Sequence, residues 1–160
     1  MMMMVKTMNK KLICSLALIM ILATSAFLTG CNSDANTLKD GYYTAEDTVG
    51  SFGWFEFITI YVDDGRIVSV EYNAKNASGF IKSWDMDYMR VMNSTDGTYP
   101  NEYTRTYANE LLESQKVEDV DAIAGATESH TSFVQLANAA LEKARAGDFS
   151  VALVDVKHKN

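Results

Sequence analysis

The sequence predicts an α+β domain in which a small antiparallel sheet packs against helices. Three observations carry that expectation. First, an aromatic and β-branched run at residues 54–62 (WFEFITIYV) is followed by Asp63-Asp64-Gly65 and a second such run at 67–72 (IVSVEY), the pattern of a β-hairpin. Second, residues 131–146 place Phe133, Val134, Ala137, Ala140, Leu141 and Ala144 on one broad stripe, the pattern of a core-facing helix. Third, the chain has 160 residues, 48% hydrophobic and 22% charged, with 9 Gly and 1 Pro. That composition is globular, and the length suits one ordinary domain.

Each element can be justified in order. Asp40-Gly41 is a turn leading into a strand that begins with Tyr42, Tyr43 and Thr44. The hairpin follows; its alternation is imperfect, which predicts one strand buried on both faces. Residues 76–80 form a Gly-containing loop. Ser83 is placed to cap a short helix through Met92, with Asp85 and Asp87 in the first turn, where the helix dipole favours acids. Asp96-Gly97-Thr98-Tyr99-Pro100 breaks the chain. Residues 102–114 place Tyr103, Tyr107 and Leu111 at helical spacing. Residues 117–123 are short and extended. The helix over 131–146 is stopped by Gly147, and residues 149–156 (FSVALVDV) read as a last strand.

The N-terminus reads as an address. Lys6, Lys10 and Lys11 precede an apolar run at 12–27 that has signal-peptide length and is short for a membrane span. Leu28-Thr29-Gly30-Cys31 then resembles the lipobox of bacterial lipoproteins, in which small residues admit the peptidase and the cysteine sulfur accepts the lipid. A plain secretory signal is the alternative. The expected organisation is therefore a lipoprotein signal peptide over 1–30, a polar tether after a lipidated Cys31 over 31–39, and one domain over 40–160. The expected location is the extracytoplasmic face of the cell membrane, held by lipid on Cys31.

Charge and cysteine use exclude several functions. The chain holds 14 Lys and Arg against 21 Asp and Glu, a net charge of −7. Three of the lysines and none of the acids lie in residues 1–30, so the remainder holds 11 against 21, or −10. Such a domain repels nucleic acid and an anionic membrane surface. Cys14 leaves with the signal and Cys31 is acylated, so no thiol remains for a redox motif, an iron–sulfur cluster or a cysteine zinc site. His130 and His158 are far apart, and no metal site is expected.

The chemistry is expected just before the last helix, in Asp121-Ala122-Ile123-Ala124-Gly125-Ala126-Thr127-Glu128-Ser129-His130-Thr131-Ser132. Gly125 permits tight backbone geometry and Ala126 leaves room for close approach. Thr127, Ser129, Thr131 and Ser132 offer hydroxyls, and the helix start offers unpaired N–H groups at the positive end of its dipole. Together these make a phosphate site. Residues 117–142 contain no Arg or Lys, so backbone donors have to do that work. A plain helix start, with Asp, Thr and Ser acting only as caps, is the bland alternative.

The same residues carry a family likeness. Asp121 to Thr127 resembles the D-x-x-x-G-A-T signature of FMN-binding domains, found in peripheral subunits of sodium-pumping and Rnf-type oxidoreductases and in lipoproteins of extracellular electron transfer. Asp40-Gly41-Tyr42-Tyr43-Thr44 is similar to the opening strand of that family, Asp64-Gly65-Arg66-Ile67 to its hairpin, and Gly79-Phe80-Ile81-Lys82-Ser83 to the loop that follows. Gln115, Asp121 and Phe133 also fall in familiar places; Ala124 stands where many members carry Ser or Thr. The resemblance implies FMN held through a phosphoester on Thr127, installed by a flavin transferase, with Asp121 and Gly125 read by the transferase or shaping the turn. It implies an electron carrier with an unknown redox partner.

Ring contacts are expected from among Phe80, Lys82, Trp84, Tyr88, Met89 and Phe133, because an isoalloxazine needs apolar faces and a donor where charge builds on reduction. For each aromatic, core packing is the competing role. No nucleophile–His–acid arrangement is evident, and Asp85 and Asp87 are two apart and face different ways on a helix. Two rival functions stand beside the carrier. A non-redox binding or adhesive lipoprotein would be colourless. A flavin-dependent reductase would turn over its own small substrate.

Overall fold

The computed structural model describes residues 37–157. The expected signal peptide over 1–30, Cys31, most of the expected tether and His158 lie outside the described residues. The first ladder follows from period-two patterning. Strand β1 (Gly41–Asp47) pairs antiparallel with β2 (Phe55–Asp63), which pairs antiparallel with β3 (Arg66–Lys75). Asp64 and Gly65 both take positive φ, 50° and 69°, in the β2–β3 turn. That is the I′-like geometry whose twist matches a hairpin, and Asp-Gly suits it.

The inner face carries Tyr43 and Ala45 of β1, Ile58, Ile60 and Val62 of β2, and Tyr72 of β3, all buried. The second face of β2 is only partly covered, so the expectation of a strand buried on both faces is corrected. Cross-strand neighbours shield it instead. Tyr42 stacks on Tyr61 at 4.4 Å, the Thr44 and Thr59 hydroxyls share a 2.9 Å hydrogen bond, and Lys75 donates to Glu46 at 2.7 Å.

Helix α1 spans Met86–Asp96. Its cap is Asp85, whose carboxylate accepts from the Tyr88 N–H at 2.9 Å, and not Ser83. Ser83 sits buried in a 3-10 turn, where its hydroxyl accepts from the Asn73 side chain at 2.9 Å. Helix α2 (Pro100–Ser114) starts at the proline itself, which suits the first helical position. A second 3-10 turn covers Val117–Asp119. Helix α3 runs Thr127–Ala146 and begins four residues earlier than its apolar stripe predicts.

After α3 the chain returns as a short strand, β4 (Ala152–Val154). It pairs parallel with β1, giving the order β3-β2-β1-β4. The sheet is thus antiparallel through β1–β3 and mixed at the β4 edge, and β4 is shorter than the 149–156 run. Helix α2 packs over β3, and α3 over β1 and β2. Tyr103, Tyr107 and Leu111 of α2 and Phe133, Leu136, Ala137 and Ala140 of α3 complete the core. Each fully buried Leu or Phe contributes about 1.5–3 kcal/mol.

Two glutamines bond backbone at the margins of the sheet. Gln115 accepts from the Ile67 N–H and donates to the Ile67 carbonyl, both at 2.9 Å. Gln135 does the same to Lys157, just past β4, at 2.9 and 3.0 Å.

Candidate functional site

The segment before α3 is held by buried side chains. The Tyr107 hydroxyl donates to the Ala126 carbonyl at 3.1 Å and accepts from the Ile123 N–H at 3.2 Å. The Tyr72 hydroxyl donates to the Ser129 carbonyl at 2.7 Å. The His130 ring lies edge-on to Tyr107, and its Nε2 meets the Val120 carbonyl at 2.8 Å. Gly125 has φ +83°, and a Cβ there would lie 2.5 Å from the Asp96 carbonyl oxygen at the end of α1. Only glycine fits this backbone conformation and this approach.

The helix that follows has an unfilled start. Its N-cap is Ala126, which brings no side-chain acceptor; the first intrahelical bond runs from the His130 N–H to the Ala126 carbonyl at 2.9 Å. The polar first turn hides the helix from a search for apolar periodicity, and this is why the boundary moves from Thr131 to Thr127. The N–H groups of that turn are donors without intrahelical partners, at the positive end of a 20-residue helix.

They open onto a cleft of ≈ 610 Å³, within the range of small-ligand sites. One wall is Gly125, Ala126, Thr127, Glu128 and Ser129. Facing it are Tyr88, Met92 and Asp96 of α1, with Asp47, Ser51, Phe52 and Trp54 from the end of β1 and the loop after it. Glu56, Lys82, Tyr103 and Ser132 complete the lining.

The structure therefore brings together Gly125, Ala126, Thr127, Ser129 and Lys82 of the sequence-predicted set. Asp121 is exposed outside the cleft lining, where its N–H donates to the Glu110 carboxylate at 3.1 Å. Phe80 is also outside, packed edge-on against Trp84. Met89 lines a separate shallow groove, and Phe133 is a core residue against Tyr72 and Tyr107. Sequence reasoning missed Glu56, Trp54, Met92 and Tyr103. Glu56 did leave a signal: it shares inward parity on β2 with Ile58, Ile60 and Val62.

Burial shapes the charges. It pushes the Glu56 carboxyl up, against the pull of the Ser132 hydroxyl, the Lys82 charge and the hydroxyls of Ser129 and Tyr72. Burial likewise lowers Lys82, opposed by the charges of Glu56 and Glu128. The Lys82 ammonium lies 5.1 Å from the Tyr88 ring centroid, a cation–π contact. Tyr103 is raised, chiefly by burial.

A family model described as the FMN-binding domain matches residues 54–142, from β2 through most of α3. The chain belongs to this family. FMN is its cofactor. A 15 kDa lipoprotein of Treponema pallidum (strain Nichols) is 36% identical over 123 residues, covering 77% of this chain and 87% of that protein. A crystal structure of a Clostridium perfringens protein superposes with a TM-score of 0.71 at 36% identity, covering 75% of this chain and 99% of that one. The cleft of this FMN-binding domain fits the cofactor chemically. Uncapped N–H groups suit a phosphate, the Thr127 hydroxyl stands among them, and Trp54, Tyr88 and Met92 offer apolar surface to a ring.

Proposed function

We propose that this FMN-binding domain is an electron-carrying lipoprotein, anchored through Cys31 at the extracytoplasmic face, with FMN linked to the Thr127 oxygen through its phosphate. One observation carries the reading: Thr127 is the first residue of an uncapped helix and lines the cleft beside the N–H donors of its own turn. A phosphate held by those donors lies against the hydroxyl that would be esterified. A flavin transferase in the same compartment would install the bond. FMN bound there supplies a centre that accepts and returns electrons. Around it, Tyr88, Met92 and Trp54 exclude water, and Lys82 brings a positive charge.

One further observation supports the anchor. The Treponema pallidum relative is a lipoprotein by name. In this chain the Lys39 N–H donates to the Ala144 carbonyl at 3.0 Å, so the tether joins the domain at the C-terminal end of α3. The cleft lies at the N-terminal end of that helix, about 30 Å away for its length.

The test is in-gel flavin fluorescence of the denatured protein, exported with and without a transferase, beside Thr127→Ala. We expect a fluorescent band that requires both the transferase and Thr127. A band that persists in Thr127→Ala would overturn the linkage. A carrier, moreover, shows no turnover of its own beyond exchange with redox partners, whereas steady consumption of a small substrate would make the protein a reductase.

A further inference from the structure

We propose that Glu56 binds the cofactor in its protonated form, taking one proton from solvent as FMN enters the cleft and donating it in a hydrogen bond to the flavin. The inference rests on the reading that FMN occupies this cleft. No electron moves in the step: a carboxylate, a proton and FMN become a complex that contains a carboxylic acid.

The position of Glu56 is the first reason. Its side chain shares the inward face of β2 with Ile58, Ile60 and Val62, each 0% exposed, and it pairs in register with the buried Ala74. An acid thus stands where the pattern calls for an apolar residue, at the point where the core gives way to the cleft. Its side chain is partly exposed to the open cleft, where water can reach it. A flat aromatic ligand would displace that water, and a buried carboxylate without a full counter-charge costs more than a protonated one.

The neighbours are the second reason. Tyr72 of β3, Tyr103 of α2, Tyr88 of α1 and Ser129 and Ser132 of α3 surround the carboxyl, with Asp47, Asp96 and Glu128 also on the cleft. Lys82 is the cation on the cleft. Among the described ion pairs none joins it to Glu56; its charge acts on Glu56 and Glu128 together and on the Tyr88 ring, so Glu56 has only a share of it. An arriving phosphate adds negative charge to a site that already holds Asp47, Asp96 and Glu128. Lost water and added negative charge push in one direction, toward the acid form. Burial already holds the carboxyl above the ordinary range before the ligand arrives.

The experiment is calorimetric titration of FMN into the FMN-free protein, made without the transferase, in buffers of different ionisation enthalpy between about pH 6 and pH 8. We expect wild type to take up about one proton more than Glu56→Gln. We expect wild-type affinity to fall toward a limit of tenfold per pH unit, the slope set by one linked proton, while Glu56→Gln lacks this component. Ionisation of the FMN phosphate is common to both proteins and cancels in the difference. Equal proton counts overturn the proposal. Carbon-13 NMR of the Glu56 carboxyl in wild type gives the same answer without a variant: the resonance should move to its protonated position on adding FMN at about pH 6, and an unmoved carboxylate resonance overturns the proposal. Failure of wild type to bind FMN at all would remove the cleft reading itself, a different outcome from binding without proton uptake.

Discussion

The two walls of the cleft are built by different means. On one side, the segment 125–129 presents backbone, and the core fixes it and the chain leading into it through Tyr72, Tyr107 and His130. On the other, α1 presents side chains and has no fully buried residue of its own; Met86 and Val91 are more than 60% exposed. The contrast matches what each wall faces. A phosphate is recognised by N–H groups at fixed positions, so its wall gains from rigidity. A ring is recognised by apolar area, which tolerates small shifts. The two walls touch where Gly125 meets the end of α1.

That contact gives the largest expected effect. Gly125→Ala forces a positive φ on alanine and a Cβ into the Asp96 carbonyl. We expect a loss of about 1–3 kcal/mol from the backbone conformation alone, a lower Tm and weakened FMN binding. A variant as stable as wild type would show that the walls are not pressed together.

Tyr107→Phe comes next. It leaves the Ile123 N–H without its partner and the Ala126 carbonyl with the His130 N–H alone, a cost of about 1–3 kcal/mol for the unsatisfied donor. Denaturant unfolding should show that cost, and faster amide exchange should be confined to the segment before α3. Unchanged exchange would mean that the segment holds its shape without the tyrosine.

The smallest stability effect is expected on the other wall. Tyr88→Ala should change stability by no more than about 0.5 kcal/mol, as an exposed substitution does. It should still weaken FMN binding roughly two- to tenfold, the worth of one aromatic contact. A large stability loss with unaltered FMN affinity would reverse the division of labour between the walls.

The contrast also explains what was legible in the sequence. The β1–β3 meander could be read because its signals are local: alternation and the Asp64-Gly65 turn. The core stripe of α3 could be read from Phe133 to Ala144, but not the start of the helix, where Thr127 to Thr131 carry no apolar period. Ser83 and Asp85 are both good caps, and only the distant Asn73 decides between them by engaging the Ser83 hydroxyl. The parallel pairing of β4 with β1 depends on how α3 delivers the chain, which no local pattern encodes. In the site, the backbone wall was legible because it is one contiguous segment. Glu56, Trp54, Met92 and Tyr103 come from other elements and meet it only in three dimensions, whereas Asp121 and Phe80, close in sequence to cleft residues, fall outside the lining.

The paired glutamines have a consequence for how the protein behaves in company. An open sheet offers its outer strands as templates on which another chain can build, and a peptide unit is what would dock there. A side-chain amide offers the same donor and acceptor. Gln115 fills that slot on Ile67 at one edge, and Gln135 fills it on Lys157 beyond the other. At Ile67 the sheet is finished from within by an imitation peptide, and the chain leaving the other edge is satisfied the same way at Lys157, so at these two residues a neighbouring copy would meet backbone whose bonding is already filled.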